Sequence, residues 1–111
     1  TGADVAVAVE DPLSYYKIKW AMRDVPGFDV YCALGTTVKP ILALKIASYT
    51  RAVMFFDGDP PGWRESKLMA RKLRGLGCQA IARCAPEGLD PKDMTATQIR
   101  EHLNEAITIS T

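Results

Sequence analysis

Histidine is almost missing from this sequence, with His102 the only one in 111 residues. A nucleophile triad therefore has little to build on, and Ser14 has no histidine near it in the chain. The three cysteines, Cys32, Cys78 and Cys84, show neither CxxC nor short Cys/His spacing, which excludes the usual zinc clusters. An odd, scattered set of this kind reads as reduced thiols in a cytosolic fold. No apolar run approaches the roughly 18 residues needed to cross a bilayer, so a membrane role is not expected. The opening Thr1-Gly2-Ala3-Asp4 lacks the basic start of a secretory signal. Neither a G-x-x-x-x-G-K loop nor a G-x-G-x-x-G loop occurs. Excess charge is missing too. The formal net charge is +1, too small to hold nucleic acid by charge alone, so any such contact must come from local patches or partner domains.

What remains is an ordinary globular composition, 48% hydrophobic and 24% charged, in a chain of single-domain length. A chain that opens on Thr1-Gly2 is expected to be a piece of a larger protein. Val5 to Val9 is a continuous apolar run, the pattern of a strand covered on both faces. Pro12 suits the first turn of a helix in which Leu13, Tyr16 and Trp20 recur at helical spacing, and Pro26-Gly27 closes it. Asp29 to Leu34 reads as a second strand, Pro40 to Tyr49 as a short helix, and Ala52 to Phe56 as a third strand. The clearest helix is Trp63 to Leu76, with Met69, Leu73 and Leu76 on one stripe, Leu68 beside them, and Arg64, Lys67, Arg71 and Arg74 on another. Gly77 ends it, and Cys78 to Cys84 supplies a fourth strand. After a polar turn from Pro86 to Asp93, Thr95 and Gln98 form a capping-box pair for a last helix carrying Ile99, Leu103 and Ile107. This β-α-β-α-β-α-β-α order predicts an α/β domain: a mostly parallel four-stranded sheet with helices on both faces.

Ligands gather at the carboxyl ends of the strands in open sheets of this class. Strand 1 delivers Glu10 and Asp11 there, strand 2 delivers Gly35 and Thr36, and strand 3 delivers Asp57 and Asp59. Gly58 is expected to let the backbone turn so that both aspartates approach one point. Clustered carboxylates repel unless a cation or proton intervenes, and a hard divalent ion such as Mg²⁺ answers that need. Lone acids at strand ends are common, so Asp57-Gly58-Asp59 by itself is a weak sign; Glu10 on a neighbouring strand strengthens it. Lys92, in Asp90-Pro91-Lys92-Asp93, is the candidate phosphate contact. Asp11, Asp90 and Asp93 are candidate further ligands, and Arg64 and Lys67 candidate phosphate contacts, although a basic helix stripe is more often a solvated face. Trp63 reads either as a cap on the core, the preferred reading, or as a base-stacking surface.

The ordered set of strand–Glu10, strand–Gly35-Thr36, strand–Asp57-x-Asp59-x-x-Gly62 and strand–Asp90-Pro91-Lys92-Asp93 resembles the Toprim domain of primases, topoisomerases and some nucleases. It is most similar to the version in phage DNA primases and primase-helicases, over about Val5 to Ile107. The resemblance implies a single Toprim-like catalytic domain over residues 1–111, compact in fold and part of a larger primase. It implies Mg²⁺-dependent nucleotidyl transfer, with Mn²⁺ as substitute, that synthesises RNA primers on single-stranded DNA from ribonucleoside triphosphates. Glu10, Asp57 and Asp59 match the catalytic and metal-binding acids, and Gly35 the glycine after the second strand. Zinc-binding and helicase domains or subunits are the implied partners, and the cytoplasm, of a host cell for a phage protein, the implied location.

Two departures stand out. Asp11 occupies a place where glycine is common, and Pro61 one where a small residue is frequent. Other readings compete. A Toprim-type nuclease or topoisomerase shares the acids; a cleaving topoisomerase also needs a tyrosine nucleophile, usually supplied from elsewhere, and Tyr15, Tyr16, Tyr31 and Tyr49 look like helix or strand residues. A response-regulator receiver places acids at similar strand ends, yet needs a fifth strand and leaves Asp59 idle. A non-catalytic scaffold that keeps the fold is the remaining alternative.

Overall fold

The computed structural model describes residues 4–33 and 40–110. The sheet contains β1 (Val5–Val9), β2 (Phe28–Cys32), β3 (Arg51–Met54) and β4 (Gln79–Ala82). All three pairings are parallel and the spatial order is β2-β1-β3-β4. The helices are α1 (Pro12–Ala21), α2 (Pro40–Ala47), α3 (Pro60–Gly75) and α4 (Ala96–Ser110), with a single 3₁₀ turn at Pro91–Asp93. The α/β class, the four strands and the alternation expected from the sequence are all present. Gly35 and Thr36 lie outside the described residues, as does Leu34 at the expected end of the second strand.

Strand pleating divides the core in two. Val5, Val7, Val9, Val53 and Phe55 point to one face and meet Ile18 and Ala21 of α1 and Ile99 and Leu103 of α4. Ala6, Ala8, Ala52, Met54 and Phe56 point to the other and meet Ala43 and Ile46 of α2 and Met69 and Leu73 of α3. Both faces of β1 are therefore covered, which is why its sequence is uninterrupted rather than alternating.

Two expectations shift. The inward face of α1 is Ser14, Ile18 and Ala21, whereas Leu13, Tyr16 and Trp20 are 66%, 66% and 50% exposed. Asp11 sets this phase by capping the helix: its Oδ1 accepts the Ser14 N–H at 2.8 Å and its Oδ2 the Ser14 hydroxyl at 3.2 Å. The small, internally bonded Ser14 can then lie against the sheet where a large side chain could not. In α3 the helix starts at Pro60, three residues earlier than its apolar stripe suggests, because Asp59 is the cap and the two prolines occupy positions where no N–H is needed. Leu68 and Leu76 of that stripe stay exposed, and Ser66, Ala70 and Gly62 join Met69 and Leu73 in the buried face.

The capping box of α4 forms as its spacing indicates. Thr95 N–H donates to Gln98 Oε1 at 2.9 Å and Gln98 N–H to Thr95 Oγ1 at 3.1 Å. Among the described residues no helix is long and apolar enough to cross a membrane.

Candidate functional site

After β1 the chain crosses to β2 on one side, and β3 then lies on the other side of β1. Crossovers leaving in opposite directions open a crevice between the carboxyl ends of β1 and β3. Glu10 follows β1 and Asp57 follows β3 with two buried phenylalanines between, so both acids rise from the rigid centre of the sheet. They are joined directly: the Asp57 N–H donates to Glu10 Oε1 at 2.8 Å.

The loop after β3 is held by close backbone packing. Gly58 N–H donates to the Leu89 carbonyl at 2.8 Å, and Gly88 N–H donates to the Gly58 carbonyl at 2.8 Å. A Cβ on Gly58 would stand 2.1 Å from Pro86 O and 2.5 Å from Ala85 O. Its φ is not positive, unlike that of Gly27, Gly77 and Gly88. Glycine is required here for close approach of the segment after β4, rather than for conformational freedom in the turn. Gly62 answers a similar demand, because its Cβ would meet Asp57 O at 2.2 Å. Asp59 is exposed, and its Oδ1 accepts the Gly62 N–H at 2.8 Å.

The turn after β4 brings in a further acid. Asp90 lies close enough to Asp57 for its charge to raise the Asp57 pKa. Asp57 Oδ1 is buried with no hydrogen-bond partner. Burial first, then the charges of Glu10 and Asp90, pushes the Asp57 carboxyl up from 3.8 to about 7. Glu10 is also raised, chiefly by burial, with Asp59, Asp11 and Asp90 adding repulsion against the lowering effect of the Asp57 N–H. Five acids thus feel one another here: Glu10, Asp11, Asp57, Asp59 and Asp90.

One ammonium enters the cluster. Lys92 Nζ bonds Asp90 Oδ2 and stands 4.0 Å from Asp11 Oδ2. The hydrogen bond from Lys92 to Asp90 raises the lysine's pKa, so it stays charged. Asp93, expected beside the acids, is exposed and its Oδ2 accepts the Asp90 N–H at 3.0 Å, which shapes the turn. Asp11 is occupied by the α1 cap. Arg64 and Lys67 are exposed on α3 and make no ion pair among the described residues.

Among the described residues no three His, Cys, Asp or Glu side chains form a ready-made metal cage. The orphaned, buried Asp57 Oδ1 amid mutually repelling carboxylates nevertheless fits a hard cation that keeps most of its water and takes only one or two protein oxygens. Of Asp90 and Asp93, which the sequence offers together as outer ligands, Asp90 is the one whose charge reaches Asp57. Its place in Asp90-Pro91-Lys92-Asp93 is plain, but only the fold of the Pro86–Asp90 turn shows which of the two aspartates reaches β3.

Comparisons with known proteins agree with the architecture. No protein-family profile matches the chain. A DNA primase, DnaG, of Staphylothermus marinus is 34% identical over 82 residues, which is 73% of this chain and 18% of that protein. The crystal structure of the Aquifex aeolicus primase, comprising zinc-binding and RNA polymerase domains, superposes with a TM-score of 0.67 at 19% identity. That match covers 92% of this chain and 26% of the other. The chain therefore has a Toprim-like fold, is similar in sequence to a primase, and spans a small part of the length of each relative.

Proposed function

We propose that this chain, given its sequence similarity to a primase and its Toprim-like fold, is the nucleotidyl-transfer domain of a DNA primase that makes RNA primers on single-stranded DNA. The observation that carries this reading is the buried, unpartnered Asp57 Oδ1 beside Glu10 and Asp90 at the crevice between β1 and β3. Asp57 and Asp59 would hold Mg²⁺, or Mn²⁺ in its place, with Glu10 and Asp90 as neighbouring oxygens. A bound divalent ion there supplies charge neutralisation for the triphosphate and lowers the pKa of an attacking hydroxyl.

In the transfer itself the 3′-oxygen of one ribonucleotide bonds to the α-phosphorus of the next, and the bond to pyrophosphate breaks. The chain contributes placement. Glu10 is fixed by the Asp57 N–H through Oε1, which leaves Oε2 to accept the hydroxyl proton. A raised Glu10 pKa makes that oxygen a better proton acceptor than an exposed glutamate. Asp59 keeps one oxygen on the α3 cap, so the loop does not shift when the other is engaged. Lys92 holds Asp90 and Asp11 in place and offers its remaining protons to a phosphate. Template-binding, zinc-binding and helicase functions would come from other domains or subunits of the parent protein. The Asp57-to-Gly62 and Asp90-to-Asp93 segments favour a phage-type primase as the subtype.

A cleaving topoisomerase needs a tyrosine nucleophile, and the four tyrosines of this chain are engaged in other contacts. Tyr31 and Tyr49 are bonded to each other at 2.5 Å, Tyr49 also donates to Asp29, and Tyr15 and Tyr16 pack edge to face on α1. The test is whether the full-length parent protein makes oligoribonucleotides from ribonucleoside triphosphates on single-stranded DNA. DNA cleavage without primer synthesis would overturn the proposal.

A further inference from the structure

The outer edge of β4 borders a cavity of about 590 Å³ that the acidic cluster does not use. Trp63 and Lys67 of α3 form one wall, the segment from Arg83 to Pro86 the floor, and His102 and Glu105 of α4 the other wall. A smaller hollow of about 190 Å³ shares Pro86, His102 and Glu105 and continues beneath Leu89. Together they make a groove along the sheet edge.

The groove is firmly built. The His102 ring stacks on Phe55 with centroids 4.4 Å apart and places Nε2 3.0 Å from the Arg83 carbonyl. Burial lowers the His102 pKa, so the ring is a neutral wall rather than a charge. Arg83 pairs with Glu105 at 2.6 Å, which ties the floor to α4. Ser66 lies against Cys84 at 3.2 Å and fixes α3 over β4. Of the charged groups lining the cavity, Lys67 is the one that faces outward without an ion pair among the described residues.

Two segments that line the groove are bonded to the residues of the acidic loop. The Trp63 N–H bonds the Asp59 carbonyl at 2.9 Å, one helical turn from the α3 cap. On the opposite side, Ala85 N–H bonds the Phe56 carbonyl at 2.9 Å, immediately before Asp57. A strand whose reacting phosphate lies at Asp57 would carry its next nucleotide past Trp63.

We infer that this groove is a subsite for single-stranded nucleic acid, in which Trp63 stacks on one base and Lys67 meets the adjoining phosphate. The inference rests on the proposed nucleotidyl-transfer reading for the identity of the ligand. An aromatic face beside an unpaired cation is the pairing that sequence-tolerant strand binding uses, and the volume suits one nucleotide unit. A free mononucleotide would not need the second hollow, and an acidic peptide would not need the aromatic wall.

Two measurements on the chain separate this inference from the metal reading. In a Trp20→Phe background Trp63 is the only tryptophan, and a thymidine decanucleotide should quench its emission and shift the Cys84 and His102 amide signals. Lys67→Glu, on an exposed position that leaves the core intact, should weaken oligonucleotide binding on the order of tenfold, and Trp63→Ala by a similar factor. Binding undiminished by both substitutions, absence of oligonucleotide binding, or binding of mononucleotide alone would overturn the subsite. Mn²⁺ broadening of the Glu10 and Asp57 signals is read in the same samples. Broadening without the oligonucleotide effects removes only the groove, whereas the oligonucleotide effects without broadening remove only the metal reading.

Discussion

The Asp57 N–H donates to Glu10 Oε1 at 2.8 Å, so the acid that ends β1 is positioned by the backbone of the acid that ends β3. Glu10→Ala removes that acceptor from a partly buried N–H and should cost about 1–3 kcal/mol of stability. Glu10→Gln keeps an oxygen acceptor and should recover most of the loss. Urea unfolding of the two variants distinguishes them, and equal losses would mean that the bond contributes nothing.

Asp57 gives the metal-free domain a pH dependence with a definite sign. Its folded-state pKa, about 7, lies above the unfolded value near 3.8, chiefly because of burial and then the Glu10 charge. The native state therefore holds this proton more tightly, and its stabilising contribution, complete below about pH 4, is lost as pH rises through 7. In EDTA, Asp57→Asn should melt above wild type at pH 8, by on the order of 1 kcal/mol after allowance for solvent screening. The gap should narrow at pH 5. Thermal melts across that range provide the check.

Gly58 tolerates no side chain. An added Cβ would meet Pro86 O at 2.1 Å and Ala85 O at 2.5 Å, and both partners are backbone. Gly58→Ala should destabilise the chain by about 3 kcal/mol, near the upper end of ordinary overpacking, as measured by chemical denaturation. A loss no greater than that of a surface glycine such as Gly75, whose Cβ would meet nothing within 4 Å, would contradict this.

Lys92 is the only cation paired within the acidic cluster among the described residues. Lys92→Met should lower metal-free stability, because Asp90 and Asp11 lose their counter-charge. It should also tighten Mn²⁺ binding about threefold or more, since a competing cation is gone. Calorimetric titration reads the second effect and thermal melts the first.

Much of this is legible in the residues. The continuous run Val5 to Val9 marks a doubly covered strand, and Thr95 with Gln98 marks the start of α4. Glu10, Asp57 and Asp59 stand out because each ends an apolar strand or opens the helix after it. The phase of α1 is not legible, because Ser14 looks polar until its hydroxyl is seen satisfied by Asp11. The role of Gly58 is hidden for a related reason: close contact with Pro86 is a tertiary fact that local spacing does not encode. The same holds for Asp90, whose approach to Asp57 depends on how the turn after β4 folds back.

The most direct measurement is an NMR titration with Mn²⁺ or Mg²⁺ of wild type, Asp57→Asn and Asp59→Asn. Asparagine in place of Asp59 can still cap α3, and asparagine in place of Asp57 relieves repulsion, so both variants should fold. The expected result is saturable perturbation at Glu10, Asp57 and Asp59 in wild type that weakens at least roughly tenfold in each variant. Unchanged metal binding in both variants would contradict the metal site.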